Sequence, residues 1–116
     1  MTSAFLRWHQ NKLIDGCAQI HERKLSQDGY EINFATNTLG TFALTRQLEP
    51  ALERGGPGAK VIIITSGGAY TEKLVVDDMQ MANSKFEGTV QYARDKRRQI
   101  VLGETFSERL SGKGIG

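Results

Sequence analysis

Apolar positions are spread unevenly along this chain, and only some stretches carry a period that predicts an element. Phe34, Leu44, Leu48 and Leu52, with Phe42 beside them, recur at intervals compatible with one helix face. Asp28 is a residue type that caps helices, and Glu31 three positions on completes the acidic half of a capping box, so a helix is predicted over 28–54. Gly40 falls inside it, where glycine costs about 1 kcal/mol against alanine. Pro50 is expected to bend the last turn, and Arg54-Gly55-Gly56-Pro57-Gly58 to stop the helix. Residues 60–66 follow as a β-branched run, which predicts a strand buried on both faces and ended by Ser66-Gly67-Gly68. The stretch 69–88 is polar and mixed, and a loop of that length in a compact domain is more often functional than idle. A second helix is predicted over 89–111, with Val90, Ala93, Ile100, Val101, Phe106 and Leu110 as its apolar members.

The first 25 residues show no sustained period, although Leu13 and Ile14 before Asp15-Gly16 would end a short strand. Helices alternating with a buried strand predict an α/β layer on a parallel sheet. One strand cannot make a sheet. Its partners must come from the N-terminal segment, from another chain, or from the rest of a larger domain.

Composition narrows the class without naming a function. The 116 residues are 39% hydrophobic and 24% charged with two prolines, ordinary for a single soluble domain over 1–116. A net charge of +2 is too mild to suggest a nucleic-acid partner. The basic cluster from Arg94 to Arg98, interrupted by Asp95, reads as a solvated helix face. A single cysteine, Cys17, excludes an intramolecular disulfide framework and leaves a reducing, cytoplasmic compartment as the default. The apolar run Val61 to Ile64 falls far short of the ~20 residues that span a bilayer, so no membrane span is expected. Met1 to Lys12 lacks the apolar core of a secretory signal. No metal-ligand set is assigned.

Candidate chemistry rests on four residues. Tyr92 and Lys96 are four apart on a predicted helix and so share a face. An ammonium beside a phenol favours the phenolate, and a tyrosine tuned that way can exchange a proton with an alcohol or carbonyl oxygen. Ser66 closes the strand, where active sites of open parallel sheets lie, and its hydroxyl could bond a developing oxyanion. Asn37 sits with Gly40 inside a helix that both residue types disfavour, and local rules tend to fail at functional sites. Each has a plain alternative: a chance Tyr–Lys spacing, a serine that only caps a strand, and a helix face closely packed at Gly40.

Order and context add what single residues do not. Asn37-Thr38-Leu39-Gly40-Thr41-Phe42-Ala43-Leu44-Thr45 resembles a helix motif of the short-chain dehydrogenase/reductase family, and Val61-Ile62-Ile63-Ile64-Thr65-Ser66-Gly67-Gly68 resembles its following strand. Tyr92 and Lys96 match the family's Tyr-x-x-x-Lys, and the spacing from Ser66 to Tyr92 is similar to that of the retinol-dehydrogenase-like branch with its extended substrate loop. The resemblance covers roughly 28–116. It implies a partial Rossmann-like domain, a doubly wound parallel sheet truncated at both ends, with 1–27 a poorly matched segment and 69–88 the substrate-loop region. It further implies an NAD(P)-dependent oxidoreductase acting on a small alcohol or carbonyl substrate. Tyr92 would be the general acid/base, and Lys96 would support it; both would touch the cofactor, Lys96 at the nicotinamide ribose. Ser66 would orient the substrate oxygen, and Asn37 would hold a water in the proton relay.

The glycine-rich turn that receives the cofactor's pyrophosphate in that family has no counterpart in these 116 residues. Leu13-Ile14-Asp15-Gly16-Cys17-Ala18 stands where an Asn-Asn-Ala-Gly motif is expected. A truncated, inactive form is therefore one expectation. Another is a non-enzymatic remnant that uses the helices 28–54 and 89–110 to form a homo-oligomer or to associate with a full-length relative.

Overall fold

The structure is a computed structural model, and it describes residues 2–6, 11–16 and 18–116. Readings that fall on Met1, on 7–10 or on Cys17 lie outside the described residues. Strand β1 (Thr2–Leu6) pairs antiparallel with β2 (Asn11–Gly16), Thr2 opposite Gly16 and Leu6 opposite Lys12. Strand β3 (Lys60–Ile63) pairs parallel with β2, Asn11 opposite Lys60 and Ile14 opposite Ile63, and the sheet order is β1-β2-β3.

The sheet is therefore mixed, and the expectation of a purely parallel one is corrected. Strands as close in sequence as β1 and β2 can pair only antiparallel, because a parallel pair needs a crossover of a dozen or more residues. The helical crossover from β2 to β3 meets that requirement. Beyond β3, Gly116 donates to Ala59 O at 2.8 Å and accepts from Val61 N at 2.7 Å, in the manner of a parallel neighbour.

The crossover helix starts later than its sequence suggests. Residues 25–31 form a tight turn, with Leu25 bridged to Glu31, the Ser26 amide donating to Tyr30 O, and Gly29 at φ +84°. Asp28 belongs to that turn. The cap is Glu31 itself, whose carboxylate accepts from the Asn33 amide at 2.8 Å and the Phe34 amide at 2.7 Å. A π-helical segment, Phe34–Leu39, then leads into α1 (Gly40–Arg54), and the Gly40 amide donates to Ala35 O, five residues back. A Cβ at position 40 would stand 3.0 Å from that carbonyl, which gives mid-helix glycine its reason.

The buried face also differs from the apolar period. Asn37, Thr41, Thr45, Glu49 and Leu52 point inward, while Phe42 is exposed and packs its ring 6.0 Å from that of Phe106. Threonine can line a core here because Thr41 and Thr45 donate to the carbonyls of Asn37 and Thr41, one turn back.

Helix α2 (Gly88–Ser111) packs Phe106 and Leu110 with Leu52, Ala59 and Ile115 into a small apolar core, beside Val61 and Leu102. Its other buried residues are polar: Gln91, Asp95, Lys96, Arg98 and Gln99. The basic cluster is thus no solvated face, since Lys96 and Arg98 are 2% and 3% exposed. Nor is β3 covered on both sides: Ile62 and Ile64 stand 47% and 42% exposed on the face away from α2.

Candidate active site

Two asparagines one helical turn apart tie the chain after β2 to the crossover helix. The Asn37 side chain accepts from the Ala18 amide at 2.8 Å and donates to Ala18 O at 2.7 Å. Asn33 makes the same paired contact with Ile20, at 2.8 and 3.0 Å. Asn37, expected at the site, thus spends its amide on fixing the backbone beside it.

Lys96 reaches under the end of β3. Its Nζ donates to Ile64 O at 3.3 Å and to Gln99 Oε1 at 3.2 Å, and stands 5.6 Å from the centre of the Tyr92 ring. Gln99 Nε2 in turn donates to Asn37 O at 2.7 Å. Thr65 Oγ1 donates to Lys96 O at 3.2 Å, a second tie between the strand end and α2. The one-turn spacing of Tyr92 and Lys96 therefore brings an ammonium against the phenol, as their shared face requires.

Ser66 follows in extended backbone, φ −135° and ψ 164°, ahead of a 3-10 turn, Gly67–Thr71. Its Oγ is buried and makes no hydrogen bond among the described residues. Ser66 and Tyr92 wall one open cleft of about 510 Å³, together with Gln19, Glu72, Thr89 and Ala93. Asn37 and Lys96 are buried and are not among the residues that line it; Lys96 stands against the Tyr92 ring. Arg94 meets Glu72 at 3.1 Å beside this cleft. A second cavity of about 230 Å³ lies between β3 and α2, lined by Val61, Ile63, Phe106 and Gln99 among others.

A buried polar network holds the long loop in place. Asp95 accepts from Thr38 Oγ1 at 2.5 Å and from Arg98 at 2.9 Å. The Arg98 guanidinium also donates to Val75 O and Met79 O, and Gln91 donates to Met79 O and to Glu31. Burial pushes the Asp95 carboxyl up to about 6, against the Thr38 hydrogen bond and the Arg98 charge. Further out, hydrogen bonds from Arg109 hold the Glu49 carboxyl below its ordinary range.

Asn33, Gln91, Asp95, Arg98 and Gln99 carry no period that marks them. The repeat of asparagine at 33 and 37 is the one visible sign, while Gln91 and Asp95 are of types that usually lie at the surface. Among the described residues no cluster of His, Cys, Asp or Glu could hold a metal, and no helix is long and apolar enough to cross a membrane.

No family model matches the chain. It is similar to the protein named dehydrogenase/reductase SDR family member 12 from Bos taurus, 46% identical over 99 residues, 84% of this chain and 31% of that protein. The Homo sapiens protein of the same name is 43% identical over 93 residues, 80% of this chain and 29% of its own length. Polyprenol dehydrogenase from Danio rerio is 32% identical over 102 residues, 85% of this chain and 31% of that protein. The chain thus spans under a third of the length of these curated relatives. A crystal structure of an uncharacterized protein from Mycobacterium paratuberculosis superposes with a TM-score of 0.76 at 21% identity, over 93% of this chain and 40% of that one, a likeness of fold.

Proposed function

Because this chain belongs to the short-chain dehydrogenase/reductase family, we propose that its cleft serves oxidoreduction between an alcohol and a carbonyl with NAD or NADP. The observation that carries the reading is the buried Ser66 Oγ, with no hydrogen bond among the described residues, on the same cleft as Tyr92. A buried hydroxyl with no hydrogen bond is costly, and a turn of the Ser66 side chain toward the cleft it walls would let a substrate oxygen satisfy it.

In this reading Ser66 donates to the substrate oxygen and orients it. Tyr92 gives its phenolic proton to a carbonyl oxygen, or takes the hydroxyl proton in the reverse direction. Lys96, with its Nζ 5.6 Å from the ring centre, stabilises the phenolate left behind. Asn37 keeps the strand end and helix in register through Ala18. Of the residues present, Tyr92 on the cleft wall would meet the nicotinamide-ribose end of the cofactor, while Lys96, 2% exposed, would act through Tyr92 from behind; the pyrophosphate-binding turn is not among these 116 residues. When bound, the dinucleotide supplies or takes up the hydride.

The test is turnover followed at the nicotinamide absorbance with short aldehydes, ketones and alcohols. Tyr92→Phe is expected to lower the rate by roughly 10²–10⁴-fold while leaving the fold unchanged. A Tyr92→Phe rate equal to that of the parent, or a folded parent with no turnover, would overturn the reading.

A further inference from the structure

We propose that Gln99 is a positioning residue of this site, a side chain that closes the link from Asn37 to Lys96 directly and holds the ammonium against Tyr92. This rests on the reading of Tyr92 and Lys96 given above. The resemblance that identifies the four residues assigns a water to the Asn37 region, whereas here a glutamine amide spans the gap.

The amide orientation is set by chemistry. Lys96 Nζ can only donate and Asn37 O can only accept, so Gln99 must turn Oε1 to the first and Nε2 to the second. The two contacts measure 3.2 and 2.7 Å, and Thr41 Oγ1 lies 3.3 Å from Nε2. Gln99 is 1% exposed, so bulk water does not compete for these bonds. Asn37 O also accepts from Thr41 Oγ1 at 2.8 Å, so both of its lone pairs have donors. No other side chain type of this length offers an acceptor to Lys96 and a donor to Asn37 together. Glutamate would set a carboxylate against the Asn37 carbonyl and neutralise Lys96, and methionine would offer neither contact.

A polar gap left by truncation can be filled by water, which would accept from Lys96 and donate to Asn37. Gln99→Ala should therefore preserve the link better than the bulkier Gln99→Met, which excludes water without replacing the bonds. A purely structural role gives the opposite order, because the alanine cavity is the more destabilising change.

The experiment is a ¹³C NMR titration of the 116-residue chain labelled at tyrosine Cζ, with the Tyr92 resonance assigned through Tyr92→Phe. Lys96→Met and Gln99→Met are each expected to raise the Tyr92 titration midpoint by on the order of one pH unit. Gln99→Ala is expected to stay within about 0.3 of the parent. Gln99→Leu, which also excludes water without replacing the bonds, should raise the midpoint as the methionine variant does, and carries the same test should that variant fail to fold. A midpoint that moves with Lys96→Met but with neither Gln99→Met nor Gln99→Leu overturns the role of Gln99 and leaves the Tyr–Lys pair standing. A shift in Gln99→Ala as large as in Gln99→Met also overturns it. A midpoint unmoved by Lys96→Met removes both.

Discussion

Asn37→Ala removes two buried hydrogen bonds at once, to the amide and the carbonyl of Ala18, and returns neither partner to water. Each orphaned backbone group costs about 1–3 kcal/mol, so the loss should be roughly 2–4 kcal/mol after partial relaxation. Asn33→Ala breaks the same pair of contacts at Ile20 and is the natural control, since Asn33 has no link to Gln99 or Lys96. Urea unfolding of parent and variants, followed by circular dichroism, reads both losses as shifts in midpoint at constant slope. A smaller loss is expected at Asn33, because its contacts with Ile20 are only part-buried and water can reach the freed groups. A loss below about 0.5 kcal/mol for Asn37→Ala would refute the assignment of its side chain to the backbone of Ala18.

Two further perturbations test the surroundings of the cleft. The carboxyl of Asp95, raised to about 6 from 3.8, binds its proton more tightly in the folded chain. Its contribution to stability is therefore fully present below about pH 4 and lost as pH rises through about 6, by up to about 3 kcal/mol. Urea midpoints of the parent relative to Asp95→Asn, measured from pH 4 to 7, should fall over that window, and a constant difference would contradict the burial argument. Gly88→Ala would drive a Cβ into the Ile20 carbonyl and to 2.7 Å from His21 Cα, both backbone atoms that cannot swing away. The thermal midpoint should fall by an amount equivalent to roughly 1–3 kcal/mol, and an unchanged midpoint would rule out so close an approach of α2.

How much of this was legible follows from what the sequence pattern reports. The β-branched run at Val61 to Ile64 and the long period toward Leu110 located β3 and α2, because burial of apolar surface imposes those periods. The spacing of Tyr92 and Lys96 placed them together, since one helical turn fixes a shared face. What stayed hidden is polar. Gln91, Asp95, Arg98 and Gln99 are buried only because each meets a partner from another element, such as Thr38 or Met79 O, and no local pattern records such long-range pairing. The inward-facing Thr41 and Thr45 were missed for a different reason: their hydroxyls are satisfied one turn back in their own helix, so they need no apolar period to be buried. The start of the helix moved because Gly29 at φ +84° turns the chain and hands the cap to Glu31.

The most direct test of the central claim is a titration of NADH and NADPH into the tyrosine-labelled chain, followed by ¹³C NMR up to millimolar dinucleotide. That range detects binding as weak as about −4 kcal/mol, which suits contacts confined to the nicotinamide-ribose end. The account predicts a saturable shift of the Tyr92 resonance, reduced in Lys96→Met, with Tyr30 and Tyr70 unmoved. No shift at Tyr92, or equal shifts at all three tyrosines, would contradict it.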